Sequence, residues 1–268
     1  MAGEVVSVLT PSYQYGHFLA DALASVRSQA GRFEHVVVDG GSTDDTVGLL
    51  ENQSFASWLS ESDRGQSDAL NKALGLASGD WIGWLNADEF YLPSIYNVIQ
   101  PHFETADVIY GDFVQVDADG RLLELVAGHS MSSTVMKYYG PLMPTCATFI
   151  RRSLLTERDS WHEELRRVMD WDLWLKLLSR RARFAYVGVP LGAFRIHDSN
   201  VTNVERSRSA VEYRHLDTAY GRHVGATGRV LRGWAHLEHA LRKVSNGAYI
   251  RERILARQRG TDFRWWGD

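Results

Sequence analysis

Apolar runs of four to six residues alternate with amphipathic stretches through the first half of the chain. VVSVLT (5–10) precedes a helical pattern over 18–29, and EHVVVD (34–39) precedes TDDTVGLLENQ. FASWLSES (55–62) precedes SDALNKALGLA, WIGWLN (81–86) precedes a helix expected to open at Pro93, and DVIYGD (107–112) follows. This strand-helix rhythm predicts an α/β fold, a parallel sheet covered by helices on both faces. Ligands of such sheets sit beyond the carboxyl ends of the strands. Polar clusters stand at those ends: Thr10-Pro11-Ser12, Asp39-Gly40-Gly41-Ser42, Glu61-Ser62-Asp63-Arg64 and Asn86-Ala87-Asp88-Glu89. Four such tips on one rim predict the site.

The second half reads differently. VQVDADGRLLEL predicts a hairpin about an Asp-Gly turn. ATFIRRSLL reads as a strand entering a short helix, and MDWDLWLKLLSRRA (169–182) has helical period. FAYVGVPLGAFRIH reads as a strand pair ending at His197, and the pattern from about residue 203 is helical with a break at Asn246-Gly247. The expected division is an α/β unit over 1–202, split near 112 into two halves, then a helical region over 203–268.

Composition narrows the classes. At 268 residues and 44% hydrophobic the chain can build its core without staples. A single cysteine, Cys146, excludes an intrachain disulfide and a cysteine-based zinc cluster. An apolar run beginning near Glu4 leaves no room for a signal peptide before it, so the expected location is cytoplasmic. The net charge of −4 hides an asymmetry. Residues 221–268 carry ten Arg and Lys against four Asp and Glu, and the rest carry nineteen against twenty-nine. The basic stretches VLRGWAHLEHALRKV and AYIRERILARQR are amphipathic. They suit a peripheral membrane contact, a homodimer contact or packing on the preceding α/β unit. Nothing favours nucleic acid. No G-x-G-x-x-G follows the first strand and no G-x-x-x-x-G-K-[ST] occurs, which disfavours dinucleotide-binding and P-loop enzymes.

The candidate chemistry lies at the tips. Adjacent carboxylates at a buried strand end are costly unless used or satisfied. Asp88 and Glu89 are oxygen ligands suited to Mg²⁺ or Mn²⁺, which share their shell with substrate phosphates. The plainer reading, acidic residues before a helix with Pro93 in its first turn, accounts for Glu89 better than for Asp88. In DGGSTDDT the glycines let a ligand approach the backbone, and Ser42 or Thr43 is placed to cap the next helix. Asp68 and Lys72, four apart, suit an ion pair, and Arg64 suits a phosphate. Asp170 would ordinarily be the N-cap of WDLWLKLL, His197 a structural histidine, and Trp171 and Trp174 either core or the floor of a sugar site.

Six segments in order, TPSYQYGHFLADALASVRSQ, HVVVDGGSTDDT, SESDRGQSDALNKAL, WLNADE, MDWDLWLKL and FRIHDSNVT, resemble a family-2 glycosyltransferase of GT-A fold over residues 4–203. The resemblance implies a Rossmann-like, mostly parallel sheet with a C-terminal helical appendage. It implies an inverting, metal-assisted transfer from a nucleotide-diphospho-sugar (UDP, GDP or dTDP), bound by the half up to about 112, to a hydroxyl acceptor (glycan, lipid-linked or natural-product), bound by the half over 113–202, with polysaccharide biosynthesis among the uses. On this reading Thr10, Pro11, Ser12, Tyr13, Asp39, Gly41, Asp63, Arg64, Asp68, Asn86 and Ala87 serve the nucleotide-sugar. Asp88 and His197 hold Mn²⁺ or Mg²⁺, and Asp170 is the catalytic base with Asp172 as runner-up. Asn86 replaces the first Asp of the metal motif, Glu89 a more usual Asp, and Met169 the usual Glu before the base. These departures keep a non-catalytic nucleotide-sugar-binding module in view. A sugar nucleotidyltransferase would need a basic Gly-rich loop after the first strand, and TPSYQYGHFL is not one.

Overall fold

In a computed structural model the described residues are 4–157, 160–198, 200 and 209–266. The segment carrying the 202/203 boundary, and Val201 and Thr202 of the last motif, lie outside them. The first half folds as β1 (Val6–Ser12), α1 (Gly16–Arg27), β2 (Phe33–Asp39), α2 (Thr46–Glu51), β3 (Ala56–Ser60), α3 (Gln66–Leu76), β4 (Trp81–Trp84), β5 (Phe90–Tyr91) and α4 (Ile95–Ile99). Next come β6 (Val108–Val116), β7 (Leu122–Val126), α5 (Ser133–Tyr138), β8 (Thr148–Arg151), α6 (Met169–Ser179) and β9 (Phe184–Arg195). Three helices end the chain: α7 (Ser209–Ala219), α8 (Gly225–Ser245) and α9 (Ala248–Leu255).

The strands form one sheet ordered β3-β2-β1-β4-β8-β6-β9-β5, with β7 paired to β6. β3, β2, β1 and β4 are mutually parallel, so their carboxyl ends share one rim as expected. β8 runs antiparallel between β4 and β6, and β9 returns parallel to β6. Strand alternation explains the two-sided core. Leu9, Val36, Val38 and Ile82 point into a cluster with α3 and α6, while Val8, Val37 and Trp81 meet α1 and α4 on the other face.

Three local readings change. Residues 184–195 form one strand, not a pair. The Gly188-Val189-Pro190 stretch is an irregularity within it, where the register against β6 shifts between Tyr110 and Asp112 and Gly188 takes φ +67°. α4 opens at Ile95, after Ser94 in the left-handed region, so Pro93 stands outside it. Neither Ser42 nor Thr43 caps α2. Asp44 accepts the Thr46 N–H at 3.1 Å and reaches across to the Gly16 N–H at the start of α1, at 2.9 Å.

The C-terminal helices are knitted into the body. Leu216 of α7 is fully buried in the core cluster with Trp171 and Trp174. Beyond α9, Trp265 Nε1 donates to the Tyr91 carbonyl at 2.9 Å and Trp266 meets Phe90 edge to face.

Candidate active site

The rim is built from short-range turns. Asp39, fully buried at the end of β2, accepts from the Gly41 and Ser42 N–H groups at 3.2 and 2.9 Å, from Ser60 Oγ at 2.7 Å, and from the Ser42 hydroxyl. Asp63 accepts the Gly65 N–H at 2.7 Å and lies against Gly40, where a Cβ would come within 2.8 Å of its carboxylate. The tips of β2 and β3 therefore touch only because residue 40 has no side chain. Asp68 closes the next turn, accepting the Arg64 N–H at 3.0 Å, with Lys72 at 3.4 Å. Arg64 also reaches Glu163 at 2.8 Å.

At the end of β1, Thr10 points beneath the sheet, where its hydroxyl lies 2.9 Å from His35 Nε2. Burial pushes His35 down to about 3, so that ring is neutral. Only the Thr10 main chain can face a ligand. Pro11 and Ser12 are buried, Gly41 is exposed, and the Ser12 hydroxyl has no partner. Tyr13 is 59% exposed.

The Asn86–Glu89 turn sends its two carboxylates in opposite directions. Glu89 turns inward, accepting the Asn86 N–H at 3.0 Å and the Thr145 hydroxyl at 3.2 Å. Burial first, and the Asp88 charge second, push Glu89 well up toward its protonated form. It braces the turn and is not the acidic residue of a helix start. Asp88 turns toward β9, and its Oδ2 lies 2.9 Å from His197 Nε2 and 3.2 Å from Asn200 Nδ2. The two expected metal ligands, 109 positions apart, therefore meet. Asn86 accepts from Gln66 Nε2 at 2.7 Å and Trp84 Nε1 at 2.8 Å, so its side chain is a brace. Ala87 is buried.

Gln66 begins α3, and the next residue, Ser67, touches the start of α6. Its hydroxyl donates to the Leu165 carbonyl at 3.4 Å and meets Met169 Sδ at 3.6 Å. The first turn of α3 thus links the Asn86–Asp88 tip to the segment bearing Asp170. Asp170 lies inside the first turn of α6, after Val168, and its Oδ1 accepts the Trp171 N–H at 2.7 Å. Desolvation raises it to about 6, opposed by that hydrogen bond. Asp172 is enclosed, with its side chain 1% exposed. Tyr220 Oη donates to it at 2.8 Å, His215 Nε2 lies at 3.2 Å and His162 Nδ1 at 3.4 Å. The histidines and Asp172 have the composition of a metal site. Lys176, 3.3 Å from His162 and 3.8 Å from Asp172, already supplies the positive charge there. Trp171 and Trp174 both belong to the core, their Nε1 atoms donating to the carbonyls of Met136 and Met143 at 2.7 and 3.1 Å.

Residues 7–158 match the family model described as Glycosyl transferase family 2. The chain belongs to that family. Among similar proteins, an uncharacterized glycosyltransferase of Mycobacterium tuberculosis is 44% identical over 95 residues, which cover 34% of this chain and 36% of the relative. The match to that first relative thus spans about a third of its length. A PGL/p-HBAD biosynthesis glycosyltransferase of Mycobacterium bovis is 29% identical over 195 residues, 68% of this chain and 73% of the relative. The structure of S. aureus TarS 1-349 in complex with UDP-GlcNAc superposes with a TM-score of 0.62 at 19% identity, covering 90% of this chain and 73% of TarS. The mannosyltransferase PcManGT from Pyrobaculum calidifontis, in complex with GDP-Man and Mn²⁺, gives 0.59 at 17% identity, with 92% and 76% covered. The fold is GT-A, a curled and mostly parallel sheet with helices appended at its C-terminal end.

Three side chains of this family 2 transferase stand at the site without having been expected there. Arg195, 1% exposed, holds the Asp88 carbonyl at 2.9 Å and Asp21 at 2.6 Å, with its guanidinium 4.7 Å from the Phe18 ring centroid. Arg166 lays its guanidinium over Gly65, one Nη 1.4 Å from where a Cβ would stand. Glu212 of α7 accepts the N–H groups of Arg166, Arg167 and Val168 at 3.2, 2.9 and 3.2 Å, immediately before α6. Arg195 sits two positions before His197 in the FRIH motif, which was a readable signal. Arg166 and Glu212 carried none.

Proposed function

We propose that the chain transfers a sugar from a nucleotide-diphospho-sugar to a hydroxyl acceptor with inversion at the anomeric carbon. The observation that carries this reading is the first turn of α3. Gln66 holds the tip that bears Asp88, and Ser67 touches the start of the helix that bears Asp170. On this reading Asp88 and His197 would bind the ion and Asp170 would accept the proton, on two sides of one short segment.

Asp170 takes the proton of the acceptor hydroxyl as its oxygen bonds to the sugar C1 and the C1–O bond to the diphosphate breaks. A carboxylate raised to about 6 is a better base than an ordinary one and is still ionised at neutral pH. Arg166, over Gly65, is placed to meet the diphosphate, and the unpartnered Ser12 hydroxyl to meet the nucleoside. Arg195 fixes the main chain of Asp88. The Asp88 carboxylate and His197 imidazole fit a divalent ion, Mn²⁺ better than Mg²⁺, because a nitrogen donor suits the softer ion. Bound there with diphosphate oxygens, the ion would neutralise charge on the departing nucleotide.

The test is a thermal-shift series of UDP-, GDP- and dTDP-sugars with Mn²⁺, followed by donor hydrolysis with and without EDTA. One nucleotide class should raise the melting temperature, and EDTA should abolish slow hydrolysis of that donor. Stabilisation by a donor without any hydrolysis of it would leave a non-catalytic nucleotide-sugar-binding module as the better reading, and no stabilisation by any donor would overturn both.

A further inference from the structure

The helix α8 is amphipathic in the wrong sense for a helix that covers a core. Its buried positions are Gly228, Ala235 and Lys243. Its large apolar side chains face outward: Val230 is 73% exposed, Trp234 57%, Leu237 50%, Leu241 58% and Val244 66%. At 100° per residue these five fall within an arc of about 80°. The inner side is occupied, since α8 packs on α5 and His239 Nδ1 lies 3.0 Å from His129 Nε2. The outward stripe is therefore a surface in search of a partner, of a kind soluble domains rarely leave open. Beyond the Asn246-Gly247 turn, Ile250 and Ile254 of α9 are 66% and 59% exposed as well.

We propose that this face docks on an anionic lipid surface. Charge selects that partner. Arg229, Arg253, Arg257 and Arg259 are all exposed. Among the described residues the acids of the stretch are already paired: Glu238 with Arg242 at 2.8 Å, Glu252 with Lys243 at 2.5 Å and Asp262 with Arg264 at 2.5 Å. An outward apolar stripe carrying Trp and Leu, in a C-terminal region with a surplus of exposed arginines, is the composition of a helix lying in the plane of a membrane interface. No helix among the described residues is long and apolar enough to cross a membrane. A second copy of the chain suits the face less well. The stripe has heptad spacing for only about two heptads, short of the three or four a coiled coil sustains. The seam lacks paired opposite charges beside it, its one flanking acid being Glu238. This proposal does not depend on the catalytic reading, although the face stands one helix away from it. α5, on which α8 rests, receives Trp171 Nε1 at the Met136 carbonyl, one residue from Asp170.

The test floats the full chain with vesicles of phosphatidylcholine alone or with about 30 mol% phosphatidylglycerol, and measures its mass by light scattering without lipid. The wild-type chain should rise with the anionic vesicles and not with the neutral ones. Trp234→Glu/Leu241→Glu and Arg253→Glu/Arg257→Glu should each weaken that binding by about tenfold or more. Both doubles change exposed side chains, and unchanged melting curves would show that they fold. Absence of flotation on anionic vesicles overturns the proposal. So does a wild-type dimer that Trp234→Glu/Leu241→Glu converts to a monomer, because the face would then belong to a second copy.

Discussion

On the strand-tip side of the cleft three carboxylates find main-chain partners nearby in sequence, while Asp88 and Glu89 reach across to His197 and Thr145. Asp39 is held by Gly41 and Ser42, Asp63 by Gly65, and Asp68 by Arg64. On the α6 side the partners come from far along the chain. Glu212 supports the entry to α6, while His215 and Tyr220 hold Asp172 across more than forty positions. Local turns fold with their own strands, but a helix start braced by α7 depends on the C-terminal region being in place. The Asp39, Asp63 and Asp68 turns should therefore tolerate damage to α7 better than the start of α6 does.

The hardest break in that comparison is Asp170→Asn. It should lower kcat by about 10²–10⁴-fold with donor affinity, measured calorimetrically, unchanged. In the wild-type chain kcat should rise with pH through about 6 and then level, because Asp170, as the proposed base, would work deprotonated. The same raised value has a stability consequence of opposite sense. A carboxyl held above its ordinary value favours the fold in acid, below about 4, and that contribution is lost as pH rises through about 6. Asp170→Asn should accordingly raise the melting temperature at pH 7.5 and leave it little changed at pH 4. Substantial transfer by this variant would remove Asp170 from the mechanism.

Next in size, Asp88→Ala should weaken Mn²⁺-dependent nucleotide binding by more than the about 10–100-fold typical of residues one step out from a metal. Asn200→Ala, which loses the amide 3.2 Å from the Asp88 carboxylate, should fall within that range. Equal affinity for UDP or GDP with and without the Asp88 carboxylate would move the ion elsewhere. Arg166→Ala should raise the donor KM by roughly 10-fold, the scale of one charge-assisted hydrogen bond, with kcat nearly constant. If kcat falls and KM does not, Arg166 belongs to the base side and the division above is drawn in the wrong place.

What could be read beforehand follows the same division. The rim was legible because parallel strands announce themselves as apolar runs and their polar tips are contiguous in sequence. The meeting of Asp88 with His197 came only from resemblance, since no local pattern joins residues 109 apart. The opposite turns taken by Asp88 and Glu89 were hidden, because one dipeptide supplies both a buried brace and a half-buried carboxylate turned to His197. Gly188-Val189-Pro190 looked like a hairpin because glycine and proline usually punctuate strands. Here β9 absorbs both in an irregularity and continues beside β6. Glu212 was invisible because its role exists only once α7 packs against α6.

Glu212→Gln tests that last point with the smallest change. The side chain keeps its length and one carbonyl oxygen but loses the charge facing three main-chain N–H groups. The loss should be about 1–2 kcal/mol of stability, roughly 2–4 °C per kcal/mol for a chain of this size. If α7 only holds the fold together, the folded variant should turn over as the wild type does. If it also sets the entry to α6, kcat should fall several-fold with a smaller rise in donor KM, because Glu212 also holds the Arg166 N–H while the Asp39, Asp63 and Asp68 turns do not involve α7. Asp39→Ala supplies the mirror image, a raised donor KM from loss of the turn that Gly41, Ser42 and Ser60 share. Equal effects of both variants on KM and kcat would show that the two sides of the cleft do not rest on separate supports.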